Sequence, residues 1–424
     1  KNGLRKDLAE AIAAIHPTTV RFPGGCIVHG NGLANAYRWK DTVGDVATRK
    51  PNWSRWGYYQ SYGLGYFEYM LFCEDIGASP LPILPCGVSC GFLRPYEVAP
   101  EGELAAWIQD CVDLVEFANG PVTSTWGKVR ADMGHPAPFN LRFVGIGNEE
   151  HDTPKMREYF PRFVAAMRAK CPDIQIVGTS GLGDEIPLFD LMSATGVDIT
   201  DEHYYKPPQW FIDNRHRFDT VARKAPKIYV GEYASHSNTQ LSAVAEAVYL
   251  AGIERNSDQV VMTAYAPLLA RIEDTQSRKA NLIWFDGDRV FKTPSYYVQQ
   301  LFGSNLGDHY LTNTVVFPDA AVVDGKPPVL AVSPTLASKD GKLFIKVANP
   351  MDVPITARVT VQGLSGIQTE AQLTTLAGDK AAVNSLTNPQ QIAPVVTTIP
   401  AGANFNITVP AMSVQVLQLG VGKS

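Results

Sequence analysis

The sequence predicts an α/β fold: a (β/α)8 barrel of the TIM type that lacks its first strand in this chain, followed by an antiparallel β-sandwich. Three observations predict it. Up to about residue 300, short apolar runs without clean alternation recur between helical patterns, as strands buried on both faces of a parallel sheet should. Chemically capable side chains fall at the ends of several of these runs: Arg21, Asn148-Glu149, Glu202-His203, Tyr205 and Glu232. From about Leu306 the helical periodicity disappears, and Val, Thr, Ala and Pro dominate in short alternating runs.

The elements follow in order. A helical pattern over 4–15 leads into a strand at 18–22, and further strands are expected at 81–85, 141–146, 174–178, 197–203, 227–230 and 260–265. Leu104, Trp107, Ile108, Cys111, Leu114 and Val115 form one apolar helical stripe, closed by Gly120 as a C-cap. Asp152-Thr153-Pro154 reads as a helix start with proline in the first turn, and Met156, Tyr159, Phe160, Phe163 and Met167 then share a side. Alternating β and α implies a parallel sheet. A closed barrel gathers its strand C-termini on one face, which suits the polar strand ends. An open nucleotide-binding sheet would carry a Gly-rich loop after its first strand, and Gly178-Thr179-Ser180-Gly181-Leu182-Gly183 has the wrong spacing.

Seven strands are one short of a barrel. If it closes, the missing strand is expected upstream of Lys1, from a removed segment, another polypeptide or lost sequence. Residues 1–305 are read as the barrel and 306–424 as the sandwich, with strands at 329–332, 342–348, 357–361, 406–409 and 413–419.

The 424 residues are 45% hydrophobic and 19% charged, enough for an ample core. A net charge of -5 leaves no basic footprint, which excludes nucleic acid as a partner. No apolar run reaches the roughly 18 residues of a membrane span. The first residues lack the apolar core of a signal peptide, and the chain has no initiator Met. Six cysteines in a chain of this length do not make a disulfide scaffold. Cys73 and Cys111 read as buried thiols, and Cys86-x-x-x-Cys90 lacks the second pair a zinc site needs. Self-association into a homo-oligomer is left open.

The candidate chemistry rests on two acids, each placed just past a short strand: Gly147-Asn148-Glu149-Glu150 after 141–146, and Gly231-Glu232 after 227–230. Hydrolysis of a glycosidic bond needs two such carboxyls, one to protonate the leaving oxygen and one to attack or to activate water. The Asn148 amide could hold a sugar hydroxyl beside them. Glu150 competes with Glu149, because adjacent residues on a strand point to opposite faces. Trp39, Trp53 and Trp56 suit either sugar stacking or wall packing.

Six segments carry a resemblance: Arg21-Phe22-Pro23-Gly24-Gly25-Cys26, Tyr37-Arg38-Trp39-Lys40-Asp41-Thr42-Val43-Gly44, Ile146-Gly147-Asn148-Glu149, Asp201-Glu202-His203-Tyr204-Tyr205, Val230-Gly231-Glu232-Tyr233 and Asn281-Leu282-Ile283-Trp284-Phe285-Asp286. With the closing Met412-Ser413-Val414-Gln415-Val416-Leu417, the chain resembles family 51 of the glycoside hydrolases, mostly retaining α-L-arabinofuranosidases on a (β/α)8 barrel with a β-sandwich. The resemblance implies Glu149 as general acid/base and Glu232 as nucleophile. Asn148 would bind the sugar, Tyr205 would orient the nucleophile, Cys26 and Asn281 would line the pocket, and Arg21 would support the carboxylates. His203 reads either as a sugar contact or as a satisfied core histidine. Family members also carry an acidic sugar-binding residue after the first strand, and sandwich strands from the N-terminal side. This sequence shows neither, so either a separate N-terminal segment supplies them or this chain alone is impaired.

The implied substrate is an arabinose-containing oligo- or polysaccharide, cleaved without metal or organic cofactor. The size of cell-wall glycans leans toward a secreted or periplasmic enzyme. Two alternatives stay open: an endo-β-glucanase of the same family, and a non-catalytic carbohydrate-binding barrel.

Overall fold

The computed structural model describes residues 3–422, apart from 93–95, 274, 276–279, 319–322, 324 and 326. Seven strands form one all-parallel sheet in chain order: β1 (Thr19–Phe22), β2 (Ser79–Leu84), β3 (Phe143–Ile146), β4 (Gln175–Thr179), β5 (Ile199–Lys206), β6 (Lys227–Ser235) and β7 (Val260–Tyr265). The two edges approach each other, with Thr19 Oγ1 3.8 Å from Met262 Sδ, so the sheet is a nearly closed barrel. The strand positions agree with the sequence reading except at β5, which continues past His203 to Lys206, and at β6, which runs through Glu232 instead of ending before it.

Among the described residues the helices are α1 (Lys6–Ala13), α2 (Tyr66–Ile76), α3 (Glu101–Asn119), α4 (Thr125–Asp132), α5 (Pro154–Lys170), α6 (Phe189–Thr195), α7 (Pro208–Asp213), α8 (Gln240–Arg255) and α9 (Pro294–Gly303). Phe22, Ile83, Val144, Ile146, Ile176 and Ile199 from the strands share one core with Met70, Leu104, Leu114, Phe160, Phe163 and Met167 from the helices. The α5 start is built as its sequence suggests. The Thr153 hydroxyl accepts the Met156 N–H at 3.1 Å, and Pro154 occupies the first turn, where no amide donor is needed. Gly120 ends α3 in extended backbone rather than the left-handed form usual for a glycine cap. Glycine is required there by clearance, since a Cβ would lie 2.5 Å from the Glu116 carbonyl oxygen.

The C-terminal part is antiparallel. Its strands are β8 (Ala331–Ala337), β9 (Lys342–Asn349), β10 (Ile355–Thr360), β11 (Glu370–Ala377), β12 (Val395–Pro400), β13 (Asn404–Val409) and β14 (Ser413–Gly420). One sheet runs β8-β9-β14-β11-β12, extended beyond β8 by His309–Tyr310, and a second pairs β10 with β13. Alternation along β14 places each face. Leu417 and Leu419 join Leu343, Leu373, Ile407 and Val409 between the sheets, whereas Val414 and Val416 pack with Val244 and Val248 of α8. The short His309–Tyr310 strand, β11 and β12 escape the sequence reading. Most of β12 is exposed, so it has no apolar alternation to detect, and β11 mixes its buried Ala371, Leu373 and Leu376 with Glu, Gln and Thr.

Candidate active site

The site is assembled at one end of the barrel by strand alternation and two local departures from it. On β1, Phe22 faces the helices and Arg21 the barrel axis. On β5, Asp201, His203 and Tyr205 share the inward face at every second position. Glu202 and Tyr204 point outward, hydrogen-bonded to each other, with Arg217 Nε donating to the Tyr204 hydroxyl at 3.0 Å.

The first departure is a bulge in β6. Glu202 lies opposite Val230 and His203 opposite Glu232, so Gly231 is an extra residue without a partner. Ile228 and Val230 pack outward, and plain alternation would send Glu232 after them. The bulge turns Glu232 inward. Glycine is needed there, because a Cβ would sit 2.0 Å from Asp201 Oδ1.

The second departure follows β3. Gly147 (φ +86°) and Glu149 (φ +56°) both occupy the left-handed region, which bends the chain over the barrel mouth. The Glu149 amide is anchored by Thr179 Oγ1 of β4 at 3.2 Å.

These segments bring the side chains into one buried network. Arg21 Nη1 donates to Glu232 Oε1 at 2.9 Å and Nη2 to Asn148 Oδ1 at 2.6 Å, with Asp201 Oδ2 3.5 Å away. The Tyr205 hydroxyl donates to Glu232 Oε2 at 2.6 Å. His203 lies among three acids. Its Nδ1 is 2.8 Å from Glu149 Oε1 and 3.7 Å from Glu232 Oε2, and its Nε2 is 3.2 Å from Asp201 Oδ2. A short helical turn, Cys26–His29, delivers the Cys26 thiol to Glu149 Oε2 at 3.5 Å and to Asn148 Nδ2 at 3.7 Å. Gly25, just before it, lets the backbone approach. A Cβ there would be 2.1 Å from Glu232 Oε1 and 2.6 Å from Asn148 Oδ1.

Burial favours the neutral form of Glu232, but His203, Arg21 and the Tyr205 hydroxyl outweigh it and hold the carboxyl below its ordinary range. Burial likewise disfavours charge on His203 and Arg21, and the acids around them, Glu232 first, push both upward. Burial and the neighbouring Glu232 raise the Tyr205 phenol, so it remains a donor. The centre is thus one ionised carboxylate held by cations and a hydroxyl, facing a second carboxyl on His203.

The structure joins Arg21, Cys26, Asn148, Glu149, His203, Tyr205 and Glu232 in this network. Asn281 is fully buried beyond β7, where its carbonyl accepts from Asn238 Nδ2 at 2.9 Å. Trp39 is a wall residue. It is fully buried against Phe117 and Trp126, and its indole N–H donates to the Asp110 carbonyl. Trp53 and Trp56 are exposed. Asp201, Thr179 and the clearances at Gly25 and Gly231 were not singled out from sequence. Asp201 could have been, since it stands two residues before His203 on the same strand face.

Glu149, His203 and Glu232 each offer a ligand atom within 4.8 Å of the others, a spacing that suits a metal ion. Their atoms already pair with one another, however, and the Arg21 guanidinium on Glu232 would repel a cation.

A family model for the α-L-arabinofuranosidase 1 domain matches residues 11–223, and one for the α-L-arabinofuranosidase C-terminal domain matches 221–413. An extracellular exo-α-L-arabinofuranosidase of Streptomyces chartreusis is 46% identical over 338 residues, covering 76% of this chain and 41% of that protein. α-L-Arabinofuranosidase 1 of Arabidopsis thaliana is 33% identical over 408 residues, covering 93% of this chain and 57% of its own length. The chain therefore spans about half the length of these relatives. Among solved structures, an arabinose-bound family 51 α-L-arabinofuranosidase superimposes with a TM-score of 0.89 at 33% identity, over 99% of this chain and 67% of that one. Fold, ordered motifs and both family models agree: the chain belongs to glycoside hydrolase family 51, the family of the α-L-arabinofuranosidases it resembles.

Proposed function

We propose that the chain carries the active site of a retaining, exo-acting α-L-arabinofuranosidase that releases terminal arabinofuranose from arabinan, arabinoxylan or their oligosaccharides. The observation that carries this reading is the pair Glu149 and Glu232. Both are buried, they come from separate strands, and they present carboxylate oxygens within 4.8 Å of each other. Retaining glycosidases hold their carboxyls about 5–5.5 Å apart, and inverting ones about 6.5–9.5 Å.

The family resemblance suggests the roles, and the contacts support them. Glu232, kept ionised by Arg21, His203 and Tyr205, attacks the anomeric carbon. Glu149 gives its proton to the departing oxygen, then takes one from the water that releases the sugar. Asn148, fixed by Arg21, presents its amide to a sugar hydroxyl, and Cys26 and Asn281 line the pocket. Arg21 and Tyr205 keep the nucleophile from rotating. His203 serves the acid/base from its 2.8 Å contact. Residues 1–305 form the catalytic barrel and 306–424 the sandwich that buttresses α8. Export is supported by the Streptomyces relative, whose name describes it as extracellular.

The test is the initial rate on an aryl α-L-arabinofuranoside, with the Glu232→Ala variant as blank. Turnover that disappears in the variant supports the reading. A rate equal in the two contradicts it.

A further inference from the structure

Glu150 stands next to the acid/base, and the mechanism above gives it no task. Its side chain is fully buried and folds back beneath the loop that carries Glu149. Glu150 Oε1 accepts the backbone N–H of Asn148 at 2.6 Å and the Cys86 thiol at 3.3 Å, and lies 2.6 Å from His29 Nε2. The His29 and Glu150 side chains are both 0% exposed. His29 closes the same helical turn, Cys26–His29, whose first residue touches Glu149 and Asn148. The two segments are therefore tied twice, by Cys26 on the pocket side and by His29–Glu150 behind it.

The loop held in this way would not hold itself. Glu149 has a Cβ and sits at φ +56°, a conformation disfavoured for any residue but glycine. The Glu150 carboxylate fills the space under the bend, where a Cβ on Gly147 would lie 2.7 Å from both of its oxygens. Burial opposes charge on either partner, but the pairing prevails: Glu150 is held below, and His29 above, its ordinary value. Cys86, Cys90 and Tyr96 are the other titratable groups facing the pair.

We propose that the His29–Glu150 ion pair is a positioning couple for the acid/base. It clamps the Asn148–Glu149 bend to the Cys26 turn, so that the Glu149 carboxyl reaches the leaving oxygen. This rests on the reading of Glu149 as proton donor. A loosened clamp displaces the donor without touching the nucleophile, so the loss falls on substrates that need protonation.

The experiment compares kcat/KM on two α-L-arabinofuranosides. A 2,4-dinitrophenyl glycoside departs without a proton, and a methyl glycoside requires one. The variants are Glu150→Gln, His29→Gln, the double variant, and Glu149→Ala as reference. The clamp variants are expected to lose on the order of 100-fold on the methyl glycoside and only a few-fold on the dinitrophenyl one. The double variant should be no worse than the weaker single, since either change breaks the pair. The ratio of the two rates does not depend on how much of a variant folds. Equal losses on both substrates, while Glu149→Ala still discriminates, would overturn the clamp alone. If Glu149→Ala also loses equally on both, the acid assignment fails and the clamp falls with it.

Discussion

Glu232 has a cation and a hydroxyl on separate oxygens, and the two supports can be removed one at a time. Arg21→Gln takes away the guanidinium on Oε1, so the carboxyl should gain a proton more easily. The acid limb of kcat/KM is expected to move up by about one pH unit, as read from a pH–rate profile. An unmoved limb would mean that His203 and Tyr205 suffice to hold Glu232 ionised. Tyr205→Phe deletes a 2.6 Å bond to the charged oxygen. Such bonds contribute about 1.5–3 kcal/mol, so kcat should fall about 10- to 100-fold with the fold intact by circular dichroism. In the unmodified chain Glu232 is depressed below its ordinary 4.5 and His203 raised above its ordinary 6.5. The stabilisation from Glu232 is therefore full above pH 4.5 and fades as pH falls through its lower folded value. That from His203 is full below pH 6.5 and fades as pH rises through its higher one. Between pH 4.5 and 6.5 both contributions persist, so urea unfolding measured across that interval should show neither loss.

At the scale of elements, the bulge in β6 and the bend after β3 matter more to the site than any regular strand. Gly231→Ala would drive a Cβ to 2.0 Å from Asp201 Oδ1, displacing the Asp201 carboxylate from His203 and Arg21. Activity on an aryl arabinofuranoside should fall by at least about 100-fold, a misplacement effect. A variant retaining most of its rate would show that the bulge is not what aims Glu232. The regular parts of the barrel were readable because apolar strands and 3.6-period stripes repeat. Thr153-Pro154 marked the start of α5 by its capping chemistry. The bulge was not readable, since a lone Gly before Glu232 looks the same whether it ends a strand or bends one. For the same reason the sequence placed Glu232 past the end of β6 instead of within it. Adjacency made Glu150 look like a rival to Glu149, and its burial against His29 depends on a contact spanning 121 residues, which no local pattern reports.

At the scale of the whole molecule, the sandwich is joined to the barrel through α8. Lys346 of β9, almost fully buried, pairs with Glu254 of α8 at 2.6 Å, and Gln240 at the other end of α8 donates to the Leu376 and Met412 carbonyls. Lys346→Ala would leave Glu254 and Thr335 without their cationic neighbour and open a cavity beside Phe302. A loss of about 2–4 kcal/mol in urea unfolding is expected. A smaller change would place the join in the apolar contacts of Val414 and Val416. The strands of the sandwich were legible in β9 and β14, which are buried and rich in apolar residues, but not in the exposed β12.

Double displacement by Glu149 and Glu232 fixes the configuration of the first product released. Proton NMR of an aryl α-L-arabinofuranoside, recorded during hydrolysis and before mutarotation, should show α-arabinofuranose appearing first. Appearance of the β-anomer first would contradict it, because it would mean a single inverting displacement by water and no attack by Glu232.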